Sequence, residues 1–175
     1  MATSPNPLNY FVGKGTIKFT PTAGVQRDLG NAPEIELTPT IEKLDHFSSR
    51  SGVRNKDRSV AIEKGMTLRV VLEELTAENL AMLLLGGDID EASDGTKSFA
   101  IFAETEITGA ISFTGTNDIG AKVTMSLPNV SFGPSGSFNP ISDEWGQIEV
   151  TAEVLATEHT DGTSDFGTVT VLEAA

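Results

Sequence analysis

The apolar and polar positions of this chain alternate over most of its length, which predicts β-strands. In residues 147–156, for example, Ile148, Val150, Ala152, Val154 and Ala156 alternate with polar residues such as Glu149, Thr151 and Glu153. A period of two gives a strand one apolar face and one polar face. The predicted strands are residues 13–20, 34–44, 59–63, 66–75, 99–103, 107–113, 121–127 with an extension to 132 past a kink at Pro128, 147–156 and 167–172.

One stretch departs from this alternation and predicts a short helix over residues 76–85. Thr76 is a suitable N-cap, and the glycines at 86–87 predict a left-handed C-cap. The apolar stripe with helical spacing consists of Leu80, Leu83 and Leu84. Because the helix is apolar around most of its surface, we expect a second surface beyond its own sheet to cover it.

A polar, basic segment over residues 43–58 has no periodic apolar face, so it predicts a long loop. The residues on either side, 59–63 and 66–75, predict a hairpin with a turn at 64–65. Loops of this length are usually functional or disordered. Three interpretations stay open from the residues alone: a nucleic-acid site, a solvated loop, and a contact between subunits. Its basic residues are Lys43, Arg50, Arg54, Lys56 and Arg58.

Composition favours one β-rich domain. The 175 residues are 38 % hydrophobic and 6 % aromatic, with 17 glycines and no cysteine. The length suffices for one well-packed core, and the absence of cysteine excludes disulfides and thiolate metal sites. No apolar run approaches a membrane span, and the first residues lack a signal-peptide pattern, so we expect the protein to be made and kept in a cytoplasm-like compartment.

The charge is unevenly distributed along the chain. Residues 1–69 contain ten Lys and Arg against seven acids, whereas residues 70–175 contain two against eighteen, which gives the net charge of −13. So acidic a chain is unsuited to tight binding of nucleic acid, which relies on neutralising phosphates. Its internal polarity instead favours head-to-tail contact between copies.

The sequence contains no recognisable catalytic, metal or cofactor site. In the acidic stretch 88–99, Ser93 and Phe99 occupy the positions where a calcium loop needs Gly and Glu. His46 and His159 are expected to be surface residues. No nucleophile elbow, phosphate loop or dinucleotide fingerprint is present. We therefore predict a protein that is not an enzyme and has no metal or cofactor.

Four consecutive stretches together resemble a known family. They are NYFVGKGTIKFTP, DLGNAPEIELTP, LDHFSSRSGVRNKDRSV and MTLRVVLEELTAENLAMLLLG. Over about residues 9–87 the chain is similar to the major tail tube proteins of long, non-contractile-tailed (siphovirus-type) bacteriophages. Over residues 88–175 only the strand pattern and the acidic, Gly- and Thr-rich composition agree.

The resemblance implies a mainly β fold, an antiparallel β-sandwich or split barrel with one short α-helix. It implies that six subunits form a ring and that rings stack into a tail tube, through which DNA passes into the host without specific binding. The partners would be other copies and the tape-measure, terminator and tip proteins, with no membrane. The protein would be made in the bacterial cytoplasm and reside in the virion tail.

The resemblance also assigns roles along the chain. Residues 1–12 would be an extended N-terminal arm and residues 13–175 a single tail-tube domain. Residues 43–58 would reach the neighbouring ring through Lys43, Arg50, Arg54, Lys56 and Arg58, and helix 76–85 would lie at a subunit boundary through Leu80, Leu83 and Leu84. An acidic lumen would repel DNA, with Glu149, Thr151 and Glu153 predicted on one polar face.

Two alternatives remain beside this interpretation. A tube protein of a contractile tail, or of a type VI-like secretion system, shares the architecture. A monomeric β-sandwich that binds carbohydrate or acts as an adhesin is the alternative from another class. A single Trp (Trp145), a single Tyr (Tyr10) and 6 % aromatic residues offer little material for stacking on sugars.

Overall fold

A computed structural model describes residues 6–50, 52–134 and 136–173 of the chain. The elements found there are a 3-10 turn (Pro7–Asn9), β1 (Gly15–Pro21), β2 (Arg27–Asp28), β3 (Glu34–Ser48), β4 (Asn55–Leu72), α1 (Ala77–Leu84), β5 (Asp90–Glu91), β6 (Lys97–Ser98), β7 (Ile107–Gly115), β8 (Lys122–Phe132), β9 (Ile148–Val154), β10 (Thr157–Glu158), β11 (Ser164–Asp165) and β12 (Thr168–Leu172).

The longer strands form one antiparallel sheet in the order β2-β1-β7-β8-β9-β4-β3, with β12 paired to β8. Strand β8 changes partner along its length: Lys122 to Ser126 pair with β12, and Val130 to Phe132 pair with β9. The sheet therefore divides at β8, and its two parts enclose a common core as in a split barrel. The predicted fold class, mainly antiparallel β with one short helix, is confirmed.

The core is formed by the apolar faces of the strands. Leu68, Val70 and Leu72 alternate along β4 and have 0 % of their surface exposed. Across the core, the rings of Phe19 and Phe132 meet edge to face with their centroids 5.3 Å apart. Full burial of each such side chain contributes about 1.5–3 kcal/mol, so this cluster supplies most of the driving force for folding.

The predicted helix is present, and Thr76 is its N-cap. The Thr76 hydroxyl accepts a hydrogen bond from the backbone N–H of Asn79. The predicted glycine C-cap is wrong: Leu85, with φ of 48°, takes the left-handed conformation. Its side chain is buried, and this burial offsets the strain of that backbone conformation. Gly86 is needed for another reason, because a Cβ there would overlap the ring of Phe99.

The segment after β6 crosses the C-terminal end of the helix, with Phe99 against Gly86 and the Phe102 N–H donating to the Leu84 carbonyl. The predicted strand over residues 99–103 is therefore wrong. Its backbone bonds to the end of the helix instead of pairing in a sheet, Ile101 and Phe102 are exposed, and Phe102 has a φ of 55° that no strand accepts. The expectation that a second surface covers the helix stays a prediction.

One predicted interruption is absent. The predicted strands 59–63 and 66–75 are a single strand, β4, and Gly65 lies within it opposite Thr40 instead of in a turn. A Cβ at Gly65 would lie 2.7 Å from the Thr40 hydroxyl, so the glycine serves close strand pairing.

The predicted irregularity at Pro128 is present. Strand β8 continues past this residue to Phe132, as expected, and its pairing with β7 shifts register there. Gly109 pairs with Val130 and Ile111 with Leu127, so two residues of β8 oppose one residue of β7.

The predicted N-terminal arm is partly within the described residues. Pro7–Asn9 form a 3-10 turn. The backbone of Tyr10 and Phe11 then passes so close to Gly120 that a side chain there would have no space, and the φ of Gly120, 82°, also favours glycine. This part of the chain thus contacts the loop between β7 and β8. Residues 1–5 lie outside the described residues.

Candidate assembly surface

Strands β3 and β4 form a hairpin that is much longer than the rest of the sheet. They pair from Glu34 with Val71 to Ser48 with Asn55, but only Met66 to Leu72 of β4 also pair with β9. Residues 55–65 have β3 as their sheet partner. This two-stranded overhang, formed by residues 40–48 and 55–65, extends about 35 Å beyond β9 at the usual rise per residue.

The predicted loop over residues 43–58 is therefore wrong in its structure. Two strands can satisfy each other's backbone groups without a buried face, so a missing apolar period does not exclude a hairpin. Register shifts between Glu42 and Lys43 and between His46 and Phe47 bend the ladder. Pro39 is tolerated because β3 is the edge strand of the sheet.

The basic residues of the hairpin fall into two groups. Lys56 alone forms the first group, because its Nζ lies 2.9 Å from the Asp45 carboxylate. Arg54 belongs to the second group, and its guanidinium lies 5.6 Å from the centre of the Phe47 ring. Lys43, Arg50 and Arg58 are exposed, and no described carboxylate lies within ion-pair distance of them or of Arg54. Four predicted contact residues therefore keep their charge available.

Polar contacts fix two carboxylates of the overhang, those of Asp45 and Asp57. The Ser59 hydroxyl donates to Asp45 at 2.6 Å, and this bond, together with Lys56, lowers the pKa of Asp45. Asp57 lies 2.6 Å from Nδ1 of His46. Both acids thus have polar partners inside the chain, whereas the arginines of the hairpin have no carboxylate partner there.

Exposed aliphatic residues on the overhang are a feature that the sequence interpretation missed. Leu44 and Val60 face each other across the ladder and are 64 % and 47 % exposed, and Ile41 and Ile62 are similarly open. The signal was present as Leu44 inside the segment interpreted by its charges and as aliphatic residues in the predicted strands on either side. Apolar side chains that cluster on an exposed surface typically mark an interaction site.

The outer face of β3, β4 and β9 is polar and mostly acidic. Arg69 lies at its centre, 2.9 Å from the Glu34 carboxylate and 2.7 Å from that of Glu149. The hydrogen bond from Arg69 lowers the pKa of Glu149, and its carboxylate partners raise the pKa of Arg69. The prediction that Glu149, Thr151 and Glu153 share a polar face is confirmed, since the residues between them are buried.

The predicted boundary residues of the helix lie against the chain's own core. Leu83 is buried there, which leaves it no surface for a second subunit. Leu80 and Leu84 are half-buried, and their role at a subunit boundary stays a prediction.

A buried asparagine and a half-buried arginine fix this helix, and the sequence interpretation missed both. Asn79 donates to the carbonyls of Leu29 and Glu74 and accepts from Arg27 at 2.6 Å. Burial lowers the pKa of Arg27.

The described part of the chain offers neither a metal site nor a membrane-spanning helix. There, no three His, Asp or Glu side chains are grouped as ligands for a metal ion. His46 and His159 are surface residues, as expected, each beside an aspartate. Among the helices described, none has the length and apolar character needed to cross a bilayer.

Comparisons with known proteins give a family and a distant structural neighbour. A family model described as "Protein of unknown function UCP028589" matches residues 10–98 and 88–170. A search of curated proteins finds no match. A solved structure described as "Tail of empty GTA particle computed with helical refinement, C6 symmetry" aligns with a TM-score of 0.46 at 13 % identity, over 87 % of this chain and 94 % of the other.

Proposed function

We propose a role for this chain, which belongs to the family described as "Protein of unknown function UCP028589": it is a structural subunit that assembles with copies of itself into the tube of a phage-type tail. The observation that carries the proposal is the overhang of β3 and β4. It exposes Leu44, Val60 and Ile62 without a covering surface in the described chain. The sequence resemblance to tail tube proteins extends through this hairpin.

Exposure of this kind is a cost for a free monomer and a means of association for a subunit. Each aliphatic side chain buried against another copy contributes about 1.5–3 kcal/mol, whereas an exposed ion pair contributes about 0–1 kcal/mol. We therefore assign affinity to Leu44, Val60 and Ile62, and register to the arginines. Repetition around a ring of six, as the resemblance implies, multiplies these small contributions.

Ring closure follows from the free edge of the sheet. Strand β3 is an edge along Glu34–Ser48, so its outward backbone groups can pair with a strand of another copy. Closing such edges into a barrel removes the risk of uncontrolled aggregation that open edges bring. In this arrangement the hairpin extends from one subunit into the next.

The acidic outer face is the surface that we assign to the lumen. It carries Glu34, Glu36, Glu149 and Glu153, with Arg69 as the one base of β4 on the same face. A wall of this charge repels the phosphates of DNA, so DNA slides through without being held. The tube itself performs no chemical reaction.

The experiment that tests the proposal compares wild type with a Leu44→Asp/Val60→Asp variant. Negative-stain microscopy and analytical ultracentrifugation should show rings or tubes for wild type. The variant should stay monomeric with an unchanged melting temperature, because both residues are exposed in the folded subunit. Val25→Asp/Ile119→Asp, which changes equally open aliphatic residues elsewhere, is the matched control and should assemble normally.

A wild-type protein that stays monomeric at high concentration and at every salt concentration would overturn the proposal. Normal tubes from the Leu44→Asp/Val60→Asp variant would remove the role given to the hairpin. A contractile-type tube would form the same rings and would in addition be enclosed by a sheath protein in the particle.

A further inference from the structure

The loop between β8 and β9 lies at the opposite end of the molecule from the tip of the hairpin. Leu72, the last residue of β4, pairs with Ile148, the first of β9, so the loop that precedes Ile148 adjoins this end. The tip adjoins Asn55, the first residue of β4. Eighteen residues of strand separate the two sites by roughly 55 Å.

This loop exposes large apolar side chains beside the end of β4. Trp145, the single tryptophan of the chain, is 95 % exposed, and Ile141 is 85 % exposed. Leu75, which follows β4 and lies across the hollow described below, is also open. Phe138, by contrast, packs against the core and anchors the loop. Exposed tryptophans are frequent energetic centres of protein interfaces, because burial of so large a ring releases much water.

A hollow lies beside Trp145: its lining includes the neighbouring residues Glu144 and Gly146, but neither Trp145 nor Ile141. It measures about 330 Å³ and is lined by apolar Leu75 and Phe138 and by the carboxylate-bearing Glu73 and Glu144. The stem of an arginine is aliphatic and its head is cationic, so apolar walls with carboxylates at the rim suit this side chain.

The charges of the two ends are complementary. Asp143 and Glu144 lie in the loop and Glu73 lies beside it, and the sequence has no Lys or Arg within residues 70–96 or 123–175. The hairpin has five bases against two acids over residues 43–58, and both acids already have partners within the chain. The guanidinium groups of the tip therefore lack carboxylate partners within the chain, and the loop presents carboxylates that could pair with them.

We propose that the loop surface, defined as Leu75, Ile141, Asp143, Glu144 and Trp145, is the receptor for the hairpin tip of a second copy. The inference rests on the proposed function, namely that copies assemble. In the complex, Arg50 and Arg54 pair with Asp143 and Glu144, and Trp145 covers an arginine face by a cation–π contact. Because the tip and its receptor lie at opposite ends of one strand, the contact is head-to-tail and repeats along the strand direction without closing.

Two charge reversals test this pairing. Arg50→Glu/Arg54→Glu disables the tip, and Asp143→Lys/Glu144→Lys disables the receptor while keeping Trp145. Lys56 is left unchanged because it binds Asp45. Neither variant alone should form tubes, although each should still form single rings. Mixed together, they should form tubes of alternating rings, because the reversed tip and the reversed receptor again carry opposite charges and the two unchanged surfaces still pair. Asp118→Lys/Glu173→Lys, two exposed acids elsewhere, is the matched control and should form tubes.

Trp145 reports on the contact directly because it is the only tryptophan. On assembly of wild type, its emission should shift to shorter wavelength and its quenching by iodide should fall several-fold. Tubes in which Trp145 remains fully quenchable, or tubes from either charge-reversed variant alone, would overturn this receptor and leave the proposed function intact. An emission shift on addition of oligosaccharides, with none on assembly, would also overturn it. A wild-type protein that forms no assemblies would overturn the proposed function and this inference together.

Discussion

The two halves of strand β4 have opposite environments. Residues 66–72 pair on both sides, with β3 and β9, and Leu68, Val70 and Leu72 are wholly buried. Residues 55–64 pair with β3 and are exposed throughout. One continuous strand thus belongs at one end to a packed core and at the other to a two-stranded ribbon.

The difference separates stability from assembly. An isolated two-stranded ribbon is marginally stable in water, so the overhang depends on the body of the sheet for its conformation. The body in turn gains little from the overhang, which buries almost nothing. A surface that is ordered but contributes little to folding can present apolar residues to a partner.

The largest expected contrast is in local opening. Amide exchange of unassembled protein should require nearly global unfolding for residues 68–72. Residues 55–60 should exchange by fraying, with an opening free energy close to zero. Their cross-strand hydrogen bonds give some protection, so exchange should be slower than for an unpaired loop. Hydrogen–deuterium exchange with mass spectrometry measures both segments at once.

Assembly supplies the control for this measurement. In tubes, residues 55–60 should become protected while residues 68–72 change little. Equal protection of both segments in the free subunit would mean that the overhang is part of the cooperative core, contrary to the contrast drawn above.

Truncating one leucine in each region should give the next largest difference. Leu68→Ala leaves a cavity in a close-packed core and should cost about 2–5 kcal/mol of the free energy of unfolding. Leu44→Ala removes an exposed side chain and should change the free energy of unfolding by less than about 0.5 kcal/mol. Urea unfolding followed by circular dichroism compares the two variants. Similar costs for both would show that the overhang is packed in the free subunit.

How far the sequence predicted the fold depends on whether a segment packs in the core or lies in the exposed overhang. Where alternation coincided with burial, as in Ile148–Val154, the strand and its inward face were predictable. The N-cap at Thr76 was also predictable, because a side-chain oxygen at that position has a local role. The prediction of a loop over residues 43–58 was wrong because the strand pairing there is set by the partner strand and not by burial in a core.

Other features of the site were hidden for a related reason. Gly86 is needed because of its contact with Phe99, and Leu85 keeps its left-handed conformation because its side chain is buried. Both contacts arise only when the chain folds, so the local sequence does not reveal them. The opposition of the basic tip and the acidic loop was only half visible. The sequence showed a basic first part and an acidic remainder, whereas their separation along β4 required the register of β4 with β9.

The smallest expected effect concerns the pH dependence of the overhang. The hydrogen bond from Ser59, and then Lys56, lowers the pKa of Asp45 in the folded hairpin below its unfolded value. A lowered folded-state pKa stabilises the hairpin above the unfolded pKa of about 4, and this contribution is lost as the pH falls through the folded pKa. Carboxyl NMR titration of unassembled protein should therefore find Asp45 titrating below an ordinary aspartate. Ser59→Ala and Lys56→Ala should each move its pKa back towards that of an ordinary aspartate, whereas Asp118→Asn should leave it in place. If Asp45 titrates normally in the wild type, the contacts that order the overhang are not formed in the free subunit, and its conformation depends on the neighbouring copy.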